Sequence, residues 1–348
     1  MDISKLAFPH KPAACGFLLL ASAIGSFVEP AAAQSLRASL GQHRLEIGVL
    51  DGAPEYVFGQ IADVAGLPSG QILVLDAQYR RLTMFSADGN FLARVGRAGR
   101  GPGEFIAPVA LAVNGNEVLV LDVGQARVHA FQLAEKSLEF SGSIPVPAST
   151  RSMCAMTGFL IAFGYQRGHM VHVLTRAGEP VRWFGQPFHS DPVVAQLATN
   201  GKVECIEGEV PGVIVFPTNF PTVYAYNLDG TARWSAKLPG FDGGMIRRGP
   251  SGIGVAYGAA ADGGPSDLGV SAVVVGERLL VQWGEAFQGM SSIEDITSVT
   301  SAVIDLDSGH ILEVLRDMPR LNVATADRLF SHANDPFPRL RVFASPSN

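Results

Sequence analysis

A phrase that returns at fixed spacing constrains this chain more than any other feature. Leu75-Asp76, Arg81 and Phe85 recur as Leu121-Asp122, Arg127 and Phe131, so that Asp122 follows Asp76 by 46 positions. A period of about 40 to 50 residues marks a stacked β-unit such as a propeller blade, because one unit of that size cannot bury its own apolar face. The residues around the phrase are turn formers and alternating apolar residues, so the repeat speaks to architecture first.

Laying the repeats over one another gives five blades, with short β-rich runs and the turn between the third and fourth strands as markers. Blade one has Gln71 to Leu75, Arg81 to Phe85, the Asp88-Gly89 turn and Phe91 to Val95. Blade two has Val118 to Leu121 and Val128 to Phe131; blade three has Leu160 to Phe163, Val171 to Leu174, Ala177-Gly178 and Val181 to Phe184. Blade four has Val213 to Phe216, Val223 to Tyr226, Asp229-Gly230 and Ala232 to Ser235. The fifth is looser, with Leu279 to Trp283, Ser301 to Leu306, Ser308-Gly309 and Ile311 to Leu315. Leu321 to Thr325 and Leu340 to Phe343 remain at one end and Arg44 to Leu50 at the other. A ring accounts for both if the N-terminal strand joins the last blade and removes its open edge. The expectation is an all-β, six-bladed β-propeller closed by that strand.

Residues 1–33 are read as a signal peptide: Lys5 and Lys11 precede an apolar run from Cys15 to Val28, followed by Ala31-Ala32-Ala33. The run is shorter than the ~20 residues that span a bilayer. Cleavage would leave residues 34–348 as one propeller domain, periplasmic or secreted, with no membrane span. A content of 47% hydrophobic and 17% charged residues supplies a core, and 39 Gly and 22 Pro supply the turns. A net charge of −6 excludes the basic character of a nucleic-acid binder.

From Gly99 to Phe105, after Phe91 to Gly96, the sequence resembles exported bacterial six-bladed β-propeller proteins related to NHL-repeat propellers. The resemblance also rests on the Leu-Asp phrase, the Asp-Gly turn and Val95-Gly96-Arg97, and it weakens beyond Phe131. It implies the fold, and it allows either binding and scaffolding roles or enzymes, since one fold hosts many functions.

Asp76 with Arg81 and Asp122 with Arg127 are expected to be stabilising pairs across hairpins. Gly96 to Phe105 lacks the Gly-Lys-Ser/Thr ending of a phosphate loop and is read as the crossing between blades. Arg97 and Arg100 in it are candidate ligand-binding residues. So are Arg247 and Arg248, in the long segment Gly240 to Asp267, which is either a lid or a solvated insertion. His169 and His172, three apart, point to opposite faces of a strand. A propeller can still gather one residue per blade at its axis, and Asp63, Glu204 and Glu207 are the acids placed to do so, although surface exposure is the simpler expectation for them. Cys154 and Cys205 fall in the innermost strands of blades three and four and either form a disulfide or stay as buried thiols.

Two functional classes follow. One is a non-catalytic module that recognises a protein, peptide or glycan partner on one face, with no cofactor. The other is a hydrolase or lyase, lactonase-like or amidating-lyase-like, with an axial Ca or Zn ion. The apolar Val109 to Val113 and Leu268 to Val275 weigh against the second, and no catalytic residue is assigned.

Overall fold

In the computed structural model, the described residues are 43–243, 266–286 and 298–345, with Leu36, Leu40, Ile293 and Ile296. The expected signal peptide, Arg247, Arg248 and most of the long segment before Asp267 lie outside them.

The chain forms six four-stranded antiparallel sheets. Blade one is β2 (Ile61–Gly66), β3 (Ile72–Asp76), β4 (Arg81–Phe85) and β5 (Phe91–Val95); blade two is β6 (Pro108–Asn114), β7 (Glu117–Asp122), β8 (Arg127–Leu133) and β9 (Leu138–Pro145). Blade three is β10 (Ser152–Met156), β11 (Phe159–Gln166), β12 (His169–Thr175) and β13 (Pro180–Phe184). A short helix, α1 (Pro192–Ala198), then leads to blade four, β14 (Gly201–Ile206), β15 (Gly212–Pro217), β16 (Thr222–Asn227) and β17 (Ala232–Lys237). Blade five is β18 (Asp267–Val275), β19 (Arg278–Glu285), β20 (Ser298–Asp305) and β21 (Ile311–Pro319). In blade six, β22 (Val323–Ala324), β23 (Arg328–Ala333) and β24 (Arg339–Ala344) are joined by β1 (Leu45–Ile47) from the other end of the chain. Leu45 stands opposite Val342 and Ile47 opposite Leu340, so the ring closes as the leftover segments require. Arg328–Ala333 is among the strands the repeat did not reveal, with β2, β9 and β10.

Six apolar clusters sit where blades pack face to face. Leu73, Met84 and Phe105 meet Leu111, Val118 and Phe131 between blades one and two, and Ile47, Ile61, Phe85 and Phe330 lock blade six to blade one. Each fully buried side chain of this kind is worth roughly 1.5 to 3 kcal/mol, so the stabilisation is spread around the ring.

The repeated aspartate has a physical role in this arrangement. Asp76 ends β3 and accepts N–H groups from Gly59 (3.0 Å) and Gln60 (3.3 Å), just before β2, and from Tyr79 (3.0 Å) in its own turn. Asp122 repeats this with Ile106 (2.7 Å), Ala107 (3.0 Å) and Gly124 (2.9 Å), and adds the Gln125 amide (3.0 Å). A carboxylate is the one side chain that can accept this many donors at once, so each aspartate ties the incoming chain of its blade to the second strand. The Asp76–Arg81 pair forms at 3.6 Å. The Asp122–Arg127 pair does not: Arg127 turns to the Ser143 hydroxyl, and the buried His129 ring approaches Asp122 instead, at 4.0 Å.

Gly96 to Phe105 makes the crossing between blades one and two. Phe105 is fully buried, and Gly96, at φ +90°, leaves its ring a space that a Cβ would occupy. Both the left-handed backbone and the close approach require glycine there.

A candidate axial ligand site

Successive strands of a blade alternate in direction, so all first strands (β2, β6, β10, β14, β18, β22) run from the face of the inter-blade crossings to the face of the first-to-second-strand turns. Their inner edges have no strand partner, and their side chains and N–H groups line the axis. The result is a cavity of about 570 Å³ lined from blades one, two, three, four and six. A smaller space of about 240 Å³, sharing Glu204, Asn322 and Val323, adds Ala272 to Val274 of blade five. The lining reaches Gly66, Gly115, Thr157 and Glu207 at the ends of the first strands. The mouth therefore lies on the face opposite the crossings.

Side chains join neighbouring blades around this wall. One Asp63 oxygen accepts the Leu111 N–H of blade two (2.8 Å), the other its own neighbour's, Val64 (2.9 Å). Ser152 of blade three accepts the Val203 N–H of blade four (3.2 Å). Cys154 and Cys205 are joined in a disulfide across the same seam, with Cα atoms 5.6 Å apart, within the reach such a bond needs. Arg320 donates to the Val270 carbonyl between blades five and six (3.3 Å).

Asp63, Glu204 and Glu207 all line the cavity. Surface exposure, the simpler expectation, holds for Glu207 at the mouth and fails for the other two. Asp63 and Glu204 are partly open, and the open part faces the cavity rather than bulk water. Withdrawal from solvent raises the Asp63 carboxyl above the ordinary range, opposed by Lys202 and by the two N–H groups it accepts. Glu204 is pushed up to about 8 by the same cause, with Asp63 adding to the rise and Lys202 opposing it. His332, on β23 behind Asn322, is held well below its ordinary value by burial and by the cations Arg320 and Lys202. Its two ring nitrogens have no hydrogen-bond partner among the described residues.

Lys202, Arg320 and His332 escaped the sequence reading because the three are brought together only by ring closure. One signal was present: β14 carries ionisable residues at alternate positions, 202 and 204, in a strand whose neighbours there are apolar. Arg97 and Arg100 are exposed on the crossing face and do not line the cavity; Arg97 pairs with Glu104 at 2.6 Å, and Glu104 in turn accepts the Gly101 N–H. His172 is buried against the Gly164 carbonyl (2.9 Å), a packing role. Among the described residues, no group of three or more His, Cys, Asp or Glu is arranged to hold a metal ion.

With six closed blades and an axial cavity in view, the comparisons with known proteins agree on architecture. Residues 50–172 match the sequence model of the DUF5128 family, described as a 6-bladed beta-propeller. The chain is a six-bladed β-propeller. Among solved structures it is similar to a Bacteroides fragilis protein named as exported, with TM-score 0.59 and 11% identity over 87% of this chain and 95% of that one. A member of the DUF4221 family from Bacteroides vulgatus matches with TM-score 0.54 and 10% identity, over 87% and 96% of the two chains. At such identities the likeness is one of fold. No curated protein matches in sequence. No helix among the described residues is long and apolar enough to cross a membrane.

Proposed function

We propose that this protein is an exported binding module whose ligand enters the axial cavity from the face of the first-to-second-strand turns. The observation that carries the reading is the cavity itself. Its volume falls within the roughly 300 to 1,000 Å³ usual for small-molecule sites, and charged groups from blades one and four, Asp63, Lys202 and Glu204, converge on its wall. A small glycan, or the end of a peptide or protein partner, fits such an opening. Export is supported by the signal-like residues 1–33 and by the name of the Bacteroides fragilis relative. Arg97 and Arg100 would serve a separate contact on the crossing face.

The test is native mass spectrometry of the purified protein, beside a variant in which Ala112→Trp fills the cavity. A small molecule carried by the parent and missing from the variant supports the reading. Failure to find one, together with no thermal stabilisation by oligosaccharide or peptide panels, would sink it.

The catalytic reading has one observation in its favour, the presence of Asp63, Glu204 and Glu207 in the lining of one cavity. An axial Ca or Zn ion there would polarise a carbonyl or activate water. Elemental mass spectrometry with melting in chelator decides it: one equivalent of metal whose removal lowers the Tm would favour the enzyme.

A further inference from the structure

We propose that the axial cavity takes a ligand bearing a single carboxylate, with the Lys202 ammonium as its counter-charge and the Glu204 carboxyl beside it as hydrogen-bond donor. The inference rests on the cavity being a ligand site and specifies what that site accepts.

Lys202 and Glu204 are two apart on β14, so their side chains leave the strand on the same side. Both line the cavity, and among the described residues neither side chain makes a hydrogen bond or ion pair. Lys202 is half-buried in the wall and feels Asp63 and Glu204 only through space, without a direct ion pair, so an entering anion can make the contact these acids do not. Glu204 retains its proton in neutral solution, since its carboxyl titrates at about 8. It is then a donor rather than a competing anion. One carboxylate has two oxygens, one for the ammonium and one for the carboxyl O–H, and both contacts are of the strong charge-assisted kind.

The remaining groups around the site select among anions. Asp63 on β2 already accepts the Leu111 and Val64 N–H groups, one on each oxygen, and lies in the field of Lys202, which opposes an entering amine; in its ionised form Asp63 repels a dianion. Glu207 at the mouth opposes phosphate in the same way. Arg320, between β21 and β22, adds positive potential to the inner end, while His332 on β23 is kept neutral and contributes none. A monoanion suits this balance; a dianion or an amine does not.

Calorimetry of the purified protein with acetate, lactate and galacturonate, beside galactose, inorganic phosphate and putrescine, tests the inference. At least one carboxylate should bind, and galacturonate should bind at least about tenfold tighter than galactose, which carries a hydroxymethyl group in place of the carboxylate. Lys202→Met should weaken carboxylate binding about ten- to hundredfold with its Tm retained. Affinity should fall about tenfold per pH unit above about 8, where Glu204 ionises beside the ligand. Glu204→Gln, whose amide donates at every pH, should bind at neutral pH and lose that fall. Silence from every carboxylate, or a Lys202→Met protein that binds undiminished, overturns the inference. Binding of galactose or putrescine alone would overturn it while leaving the binding module standing; no binding by any probe, with no adduct in native mass spectrometry, removes both.

Discussion

Two kinds of buried ionisable group occur in this ring, and they differ in what has been done with their hydrogen-bonding capacity. Asp76 and Asp122, inside blades, are saturated by the N–H groups of the strands they connect. Lys202 and Glu204, on the axis, are left open toward a cavity. The first kind belongs to the fold and should be intolerant of change. The second makes no direct hydrogen bond or ion pair among the described residues and lies open to the cavity.

Substitution at the saturated set gives the largest expected effect. Asp122→Ala strands several buried donors at once and should cost about 4 kcal/mol in chemical denaturation; a loss under about 1 kcal/mol would break the comparison at its firmer end. The disulfide on the cavity wall belongs with the saturated groups. It closes a loop with sequence separation 51, so replacing both cysteines by Ser should cost about 3 kcal/mol, read from the midpoint shift.

Glu204→Gln should go the other way. The unfolded chain gives up this proton near the ordinary value of 4.5, whereas the native protein keeps it until about 8. Unfolding between those limits releases a proton, so rising pH favours the unfolded state and the parent weakens across that window. The Gln variant should lack this decline and exceed the parent by about 2 kcal/mol above pH 8, allowing for the water that reaches the cavity. Melting curves on both sides of the window would show it, and parallel pH profiles would refute it. The smallest effect belongs to Arg127→Ala, within about 0.5 kcal/mol of the parent, because this arginine meets the Ser143 hydroxyl near the surface and not Asp122.

The same division explains what could be read from the residues in order. The aspartate of the repeat is legible because its partners lie 16 or 17 positions back in the same unit, and that distance recurs with the blade. Arg127 misled because register alone sets it opposite Asp122, while His129 and Gln125 take the place its partner would have had. The axial acids could be nominated from their strands, yet not their withdrawal from water, which depends on five other blades. Lys202 meets Arg320 and His332 only after the ring closes, so no local spacing announces them.

Closure also sets a condition on how the protein can come into being. β1 is made first, yet its partner β24 lies 295 positions away as counted by the Glu46–Arg341 contact. Joining segments so distant carries the largest loop-closure cost in the molecule and favours slow folding. A chain cut short before Arg339 offers β1 nothing to pair with and leaves the seam between blades six and one exposed. The ring is thus a test of completeness: only a whole chain can shut it, and only a shut ring has an axis around which Lys202 and Glu204 face anything at all.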